Sequence, residues 1–499
     1  MTSIARRALL QMGGVSLAAI AVPAYAQSKP SSAADLAQLD GIATAQAIRE
    51  RSVSQSEVIE AAIARAEAAE PRINAIVTSL YDRARQQVAA PQAASPGPLN
   101  GVPTFIKDLL DVTGAPTKRG ARLFEANIAH SQPPYTDALL AAGLNPLGKS
   151  TTPAFGASPT TEPLAHGATR NPWNLGHSVG GSSGGAAALV AAGVVPLANG
   201  SDAGGSIRIP SSCCGVFGLK PTQGRLVEDG VAQGPVPFIM QHVLTRSVRD
   251  SALMLALTER SRPVSDGFEP VGLVSGPSSR RLRIGVHMTS LNGDAPNPDV
   301  QRTIEQTAAL CASLGHSVRE VGPPINGPAF ADAYALFHAA AGASIVSQAR
   351  ATLGRMPTAD EVEPLTLGLA AHFSANKWKI LGALMVLKST RRAYASAFKD
   401  VDLLLTPVTL TPPPPIGYLA PDVPFETLFR RMIAYTGYTP LQNIAGNPAM
   451  SVPMGQSGEG LPIGAHFAAR RGDDRTLLEL AYELEKAQPW SIVPALKAL

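Results

Sequence analysis

Residues 180–221 read GGSSGGAAALVAAGVVPLANGSDAGGSIRIPSSCCGVFGLKP. Two glycine-serine turns, Gly180–Gly185 and Gly204–Ser206, bracket a run of small residues. That run predicts a helix over Ser182–Gly193 and a short apolar strand over Val194–Ala198. Ser182 and Ser206 stand 24 residues apart. Glycine admits positive φ and lets a backbone approach a ligand closely. Two such turns, each presenting a serine, describe a site for nucleophilic attack with backbone N–H donors nearby.

Outward from this stretch the chain alternates between helical and strand patterns. Residues 33–86 read as mostly helical. Ser54-Gln55-Ser56-Glu57 is a capping box, followed by an apolar face of Val58, Ile59, Ala62, Ile63 and Ala66 that Pro71 ends. Val102–Ile106 predicts a buried strand that delivers Lys107 at its end. Asp137–Ala142 predicts a short helix, Asn145–Gly148 leads into a turn, and Thr151–Ser178 reads as a loop. Arg283–His287 predicts a strand, Val300–Leu314 a helix, Phe330–Leu387 helical structure, and Asp402–Thr406 a strand closed by Pro407. This is an α/β pattern with a largely buried sheet. At about 150 residues per domain, 499 residues would make three domains, but no linker divides the chain.

The central stretch resembles the amidase signature family. The likeness continues upstream at Gly101-Val102-Pro103-Thr104-Phe105-Ile106-Lys107-Asp108 and downstream at Gly218-Leu219-Lys220-Pro221-Thr222 and Arg246-Ser247-Val248-Arg249-Asp250. Gly446-Asn447-Pro448-Ala449-Met450-Ser451-Val452-Pro453 and Gly460-Leu461-Pro462-Ile463-Gly464 also fit. Only residues 263–400 match loosely. The resemblance implies an amidase-signature fold, a mixed central β-sheet covered by helices on both faces. It implies a catalytic trio of Ser206 as nucleophile, Ser182 in a cis peptide with Gly181, and Lys107 as base. It also implies an acyl-enzyme route from a small-molecule amide to carboxylate and amine. The backbone N–H groups of Ala203, Gly204, Gly205 and Ser206 would form the oxyanion hole. Asp202 and Arg208 would support the turn, and Ser183 would hydrogen-bond behind it. The wording Ser206–Gly215 is similar to enzymes of the 6-aminohexanoate cyclic-dimer hydrolase type.

The residues are chemically consistent with these roles. A serine hydroxyl is a weak nucleophile until a base takes its proton. None of the nine histidines lies within the two turns, and the nearest, His177, precedes the first by three residues. A lysine can serve instead if burial holds it neutral. Lys107 follows the apolar run Val102–Ile106 and precedes Leu109-Leu110, which favours that state. Asp108 favours the charged form unless it points elsewhere, as adjacent strand residues do.

Three other functions fit parts of the pattern. Gly180-Gly181-Ser182-Ser183-Gly184 matches the nucleophile elbow of α/β hydrolases, but that elbow needs a strand before the serine and Asn171–His177 reads as a loop. The glutaminase subunit of a tRNA-linked amidotransferase shares the trio, but it is cytoplasmic. A non-catalytic binding protein would not need the intact trio.

Basic residues are scattered and net charge is only +4, so no nucleic-acid partner is expected. Cys213, Cys214 and Cys311 read as buried small hydrophobes. Metal-ligand spacings are absent, so neither metal nor cofactor is expected. A homodimer is the assembly left open beyond the monomer. Residues 1–26 read as a twin-arginine signal peptide: Arg6-Arg7, an apolar run Gly13–Val22, then Ala24-Tyr25-Ala26. The run is too short to span ~30 Å of hydrocarbon. The mature catalytic domain, residues 27–499, is expected in the periplasm with no membrane anchor after cleavage. N-terminal sequencing of the periplasmic fraction should therefore begin at or near Gln27. A native protein that keeps Met1 in the cytoplasm would refute export.

Overall fold

The computed structural model describes residues 33–90, 96–227, 237–261 and 268–490. Residues 1–26, read from the sequence as a signal peptide, lie outside the described residues.

Three strands make a small sheet: β1 (Ile76–Ser79), β2 (Val102–Lys107) and β3 (Leu144–Ser150), in the order β1-β3-β2. Here β2 runs parallel to β3, with Lys107 beside Ser150, and β1 runs antiparallel to it. A two-stranded ribbon pairs β4 (Arg170–Asn171) with β5 (Asn174–Ser178). The main sheet contains β6 (Leu197–Asp202), β7 (Phe217–Lys220), β8 (Met240–Thr245), β9 (Arg283–Val286), β10 (Ser317–Glu320), β11 (Leu403–Pro407), β12 (Ala449–Gln456) and β13 (Pro462–Ala469). Its order is β10-β9-β11-β13-β12-β7-β8-β6. The β10, β9 and β11 strands are parallel, and the remaining pairs are antiparallel.

The alternation of side chains along a strand sends successive residues to opposite faces. On β11, Leu403 and Leu405 join a core lined by helices Val248–Thr258, Pro298–Ser313 and Asp474–Ala487, while Leu404 packs with helices Gly327–Leu353 and Ile380–Ser396. On β8, Val243 and Leu244 divide in the same way, Leu244 meeting helix Gly184–Ala191 and the Ile209–Cys213 face of helix Arg208–Cys214. The sheet is therefore mixed and covered on both sides by helices, as the sequence implied.

Several local expectations give way to tertiary context. Helix Gln55–Ile73 starts at the expected capping box, with Glu57 N–H donating to Ser54 Oγ at 3.1 Å and Ser54 N–H to Glu57 Oε2 at 2.7 Å. Pro71 sits inside the last turn rather than ending the helix, because its fixed φ is helical, and Asn74 caps the helix in the left-handed region. Asn145–Gly148 lies within β3, paired with β2 despite the weak strand propensity of Asn, Pro and Gly. The Thr151–Ser178 segment carries the β4–β5 ribbon. The small-residue helix begins at Gly184, which leaves Ser182 and Ser183 in the turn before it. The strand before the second turn is Leu197–Asp202, three residues later than expected at its start. The 330–387 region divides into helices Gly327–Leu353, Pro364–Asn376 and Ile380–Ser396. Cys213, Cys214 and Cys311 are all buried free thiols.

Candidate active site

The β2 and β6 strands belong to different sheets, yet side chains lace them together. Thr104 Oγ1 donates to Leu197 O at 3.1 Å, and Lys107 N–H donates to Asn199 Oδ1 at 3.2 Å. This brings the end of β2, which carries Lys107, beside the end of β6, where the second glycine-serine turn begins. Helix Gly184–Ala191 packs on the same strands and brings the first turn over Lys107.

Lys107 is 1% exposed and Ser182 is 2% exposed. The Lys107 amine lies 2.7 Å from Ser182 Oγ, 2.9 Å from Ser183 Oγ and 3.0 Å from Ser201 Oγ. Gly181–Ser182 is a cis peptide, as the resemblance implied. Burial pushes the Lys107 amine down to about 7, and the Asp202 carboxylate pulls weakly the other way. Asp108 turns away from this group: it faces Lys149 Nζ at 3.5 Å and accepts from Lys118 N–H at 3.1 Å. Ser183 N–H donates to Ser206 O at 3.2 Å, which joins the two turns directly.

Beneath the second turn lies a fully buried pair, Asp202 and Arg208. Arg208 Nε donates to Asp202 Oδ2 and Nη2 to Oδ1, each at 2.9 Å. Arg208 Nη2 also donates to Asn443 Oδ1 at 2.6 Å, and Nη1 to Gln442 Oε1 at 3.2 Å and His466 Nε2 at 3.0 Å. All five guanidinium N–H donors are thereby used. Arginine only donates, so His466 Nε2 is the bare nitrogen; Nδ1 carries the hydrogen and donates to Thr406 Oγ1 at 2.9 Å. Burial works against the Asp202 charge, but the Arg208 guanidinium prevails and holds its carboxyl well below the usual range.

The same carboxylate shapes the turn. Asp202 Oδ1 accepts from Gly205 N–H at 2.7 Å, and Oδ2 from Ile207 N–H at 3.2 Å. Of the turn amides, that of Gly205 is therefore occupied. Those of Ala203, Gly204 and Ser206 have no protein partner among the described residues. The turn carbonyls are held from outside: Thr439 Oγ1 donates to Gly204 O at 2.6 Å, and the Tyr334 hydroxyl reaches Ala203 O at 3.5 Å. A Cβ on Gly204 would strike the Tyr334 hydroxyl. Gly205 has φ +128°, and a Cβ there would strike Thr439 Oγ1. Ser206 itself lines a cleft together with Ala203, Gly204 and the apolar side chains of Ile209, Phe238 and Phe330.

Every site residue read from the sequence thus falls within one region. Sequence reasoning missed Asn199 and Ser201, both on the face of β6 that meets Lys107. Their i, i+2 spacing would have exposed them had the strand been placed at 197–202. Tyr334, Thr439, Gln442, Asn443 and His466 carry no local signal, since each acts across more than 100 residues of chain.

The amidase family model matches residues 57–478, and the chain belongs to that family. It is 41% identical over 461 residues to the amidase-family protein AmiC of Mycobacterium tuberculosis (strain ATCC 25618 / H37Rv), covering 92% of this chain and 97% of that one. It is 35% identical to a 6-aminohexanoate-cyclic-dimer hydrolase of Pseudomonas sp. (strain NK87), covering 90% and 95% of the two chains. A solved structure of 6-aminohexanoate cyclic dimer hydrolase complexed with substrate superposes with a TM-score of 0.83 at 33% identity, covering 93% of this chain and all of that one. The protein is an amide hydrolase. Family and fold exclude the α/β-hydrolase elbow as well: β5 precedes Ser182 but belongs to the ribbon, not to the main sheet.

Breaking the buried pair by Arg208→Met should cost about 3–5 kcal/mol, because the Asp202 charge is left buried and unpaired. Urea denaturation of the variant measures this. A loss below about 1 kcal/mol would show that the pair does not organise the turn.

Proposed function

We propose that Ser206 is the nucleophile of amide hydrolysis, with Ser182 as proton relay and Lys107 as base. The observation that carries the assignment is the buried Lys107 amine at 2.7 Å from Ser182 Oγ, with burial holding that amine near neutrality at about pH 7.

Proton counting supports the direction of transfer. Ser183 Oγ donates its hydrogen to Ser201 O at 3.2 Å, and accepts from Ser201 N–H and from Lys107. A neutral amine has two hydrogens and one lone pair. Its hydrogens go to Ser183 Oγ and Ser201 Oγ, so the lone pair takes the Ser182 hydroxyl hydrogen. Ser182 Oγ is then free to accept the Ser206 hydrogen as Ser206 Oγ bonds to the amide carbon. The proton moves from Ser206 through Ser182 to Lys107, and returns by the same route to the leaving nitrogen when the C–N bond breaks. Water then attacks the Ser206 ester, giving the carboxylic acid and restoring Ser206. The negative oxygen formed at each addition is received by the unpaired amides of Ala203, Gly204 and Ser206, with Gly205 fixing the turn through Asp202. We take the enzyme to be exported, on the strength of Arg6-Arg7 and Ala24-Tyr25-Ala26.

A fluorophosphonate should label Ser206, located by peptide mass mapping. Modification of Ser182 instead would reassign the nucleophile. The kcat/KM profile should fall as pH drops through about 7, because protonated Lys107 has no lone pair. That limb belongs to the coupled lysine-serine group. Lys107→Ala should keep the fold and lose about a thousandfold or more in kcat. Near-normal turnover with an unchanged pH profile would rule out Lys107 as the base.

A further inference from the structure

The cleft beside Ser206 has an unusual electrostatic character for an active site. None of its described lining residues is Asp, Glu, Lys or Arg. Its walls are apolar, with Leu291, Phe330, Phe429 and Met432 prominent among them. Its polar groups are mostly committed to the protein. Asn292 Nδ2 donates to Ile433 O at 3.0 Å, and Thr436 Oγ1 to Met432 O at 2.8 Å. His338 Nε2 lies 3.1 Å from Ala157 O, and a carbonyl only accepts, so Nε2 carries the hydrogen. Burial keeps that ring neutral, and its Nδ1 is left as a bare acceptor. The Asp202 and Arg208 charges compensate each other beneath the turn. Asp332 and Arg430 line a neighbouring groove instead.

We infer that this amidase acts on uncharged amides with apolar groups on either side of the scissile bond, and that the cleft rejects amides bearing a carboxylate or ammonium close to it. A charged group entering the cleft would give up its water and find no counter-ion, which is unfavourable in any apolar site. An uncharged group gives up little and gains apolar contact. The inference rests on Ser206 as the nucleophile and adds the substrate class to it.

The test uses three fluorophosphonates of matched length. One carries a plain propyl group, one a 3-ammoniopropyl group and one a 2-carboxyethyl group. The second-order rate of Ser206 labelling in the mature chain is measured for each and divided by that reagent's hydrolysis rate in buffer. The propyl reagent should react on the order of 100-fold faster than either charged reagent. Ala331→Arg places a guanidinium on the cleft wall from a half-buried helical position. It should raise the carboxyethyl rate relative to propyl by about tenfold. Normalised rates within about threefold of one another in the unmodified chain would overturn the inference while leaving Ser206 as the nucleophile. Failure of all three reagents to label Ser206 would overturn both together.

Discussion

The active-site turn depends on one buried charge pair. Asp202 closes β6 and Arg208 opens the following helix, six residues later, so the pair spans the turn that carries Ser206. Its carboxylate fixes two backbone amides of the turn, and its guanidinium fixes Gln442, Asn443 and His466. These last three come from helix Pro440–Ala445 and from β13, in the distant C-terminal part of the chain. Buried ion pairs bring desolvation costs that Coulomb attraction offsets only when geometry and hydrogen bonding are complete. Here they are complete, with all five guanidinium donors used.

The pair also governs the charge state of the site above it. Burial lowers the Lys107 amine to about 7, and the Asp202 carboxylate acts against that shift. Were Asp202 unpaired, its field in the low-dielectric interior would favour the charged form of Lys107 more strongly. Compensation by Arg208 removes most of that field. The same compensation leaves the cleft without a net charge to offer a substrate.

Rigidity reaches the turn from both sides. Asp202 holds Gly205 from within, and Thr439 and Tyr334 hold the carbonyls of Gly204 and Ala203 from without. Because each peptide unit is planar, fixing the Ala203 and Gly204 carbonyls also fixes the amides of Gly204 and Gly205. Among the described residues, the amides of Ala203, Gly204 and Ser206 have no protein partner.

Residue type and spacing along the chain determined the two glycine-serine turns, the lysine at the end of an apolar strand, the capping box at Ser54, and the alternating α/β character. These are local properties: steric freedom, hydrophobic periodicity and short-range hydrogen bonding. The family resemblance carried by those motifs then implied roles for Lys107, Ser182, Ser183, Asp202, Ala203, Gly204, Gly205, Ser206 and Arg208. What only the tertiary structure decided was which groups meet. The strand at Leu144–Ser150 forms against local propensity because β2 offers it a parallel partner. Ser201 and Asn199 reach Lys107 only because two separate sheets abut. The division of labour among the turn amides, one tied to Asp202 and three unpaired, follows from where a buried carboxylate points. The neutrality of the cleft follows from helices more than 100 residues downstream of Ser206. Each of these rests on contact between distant segments, and a single chain's spacing carries no record of such contacts.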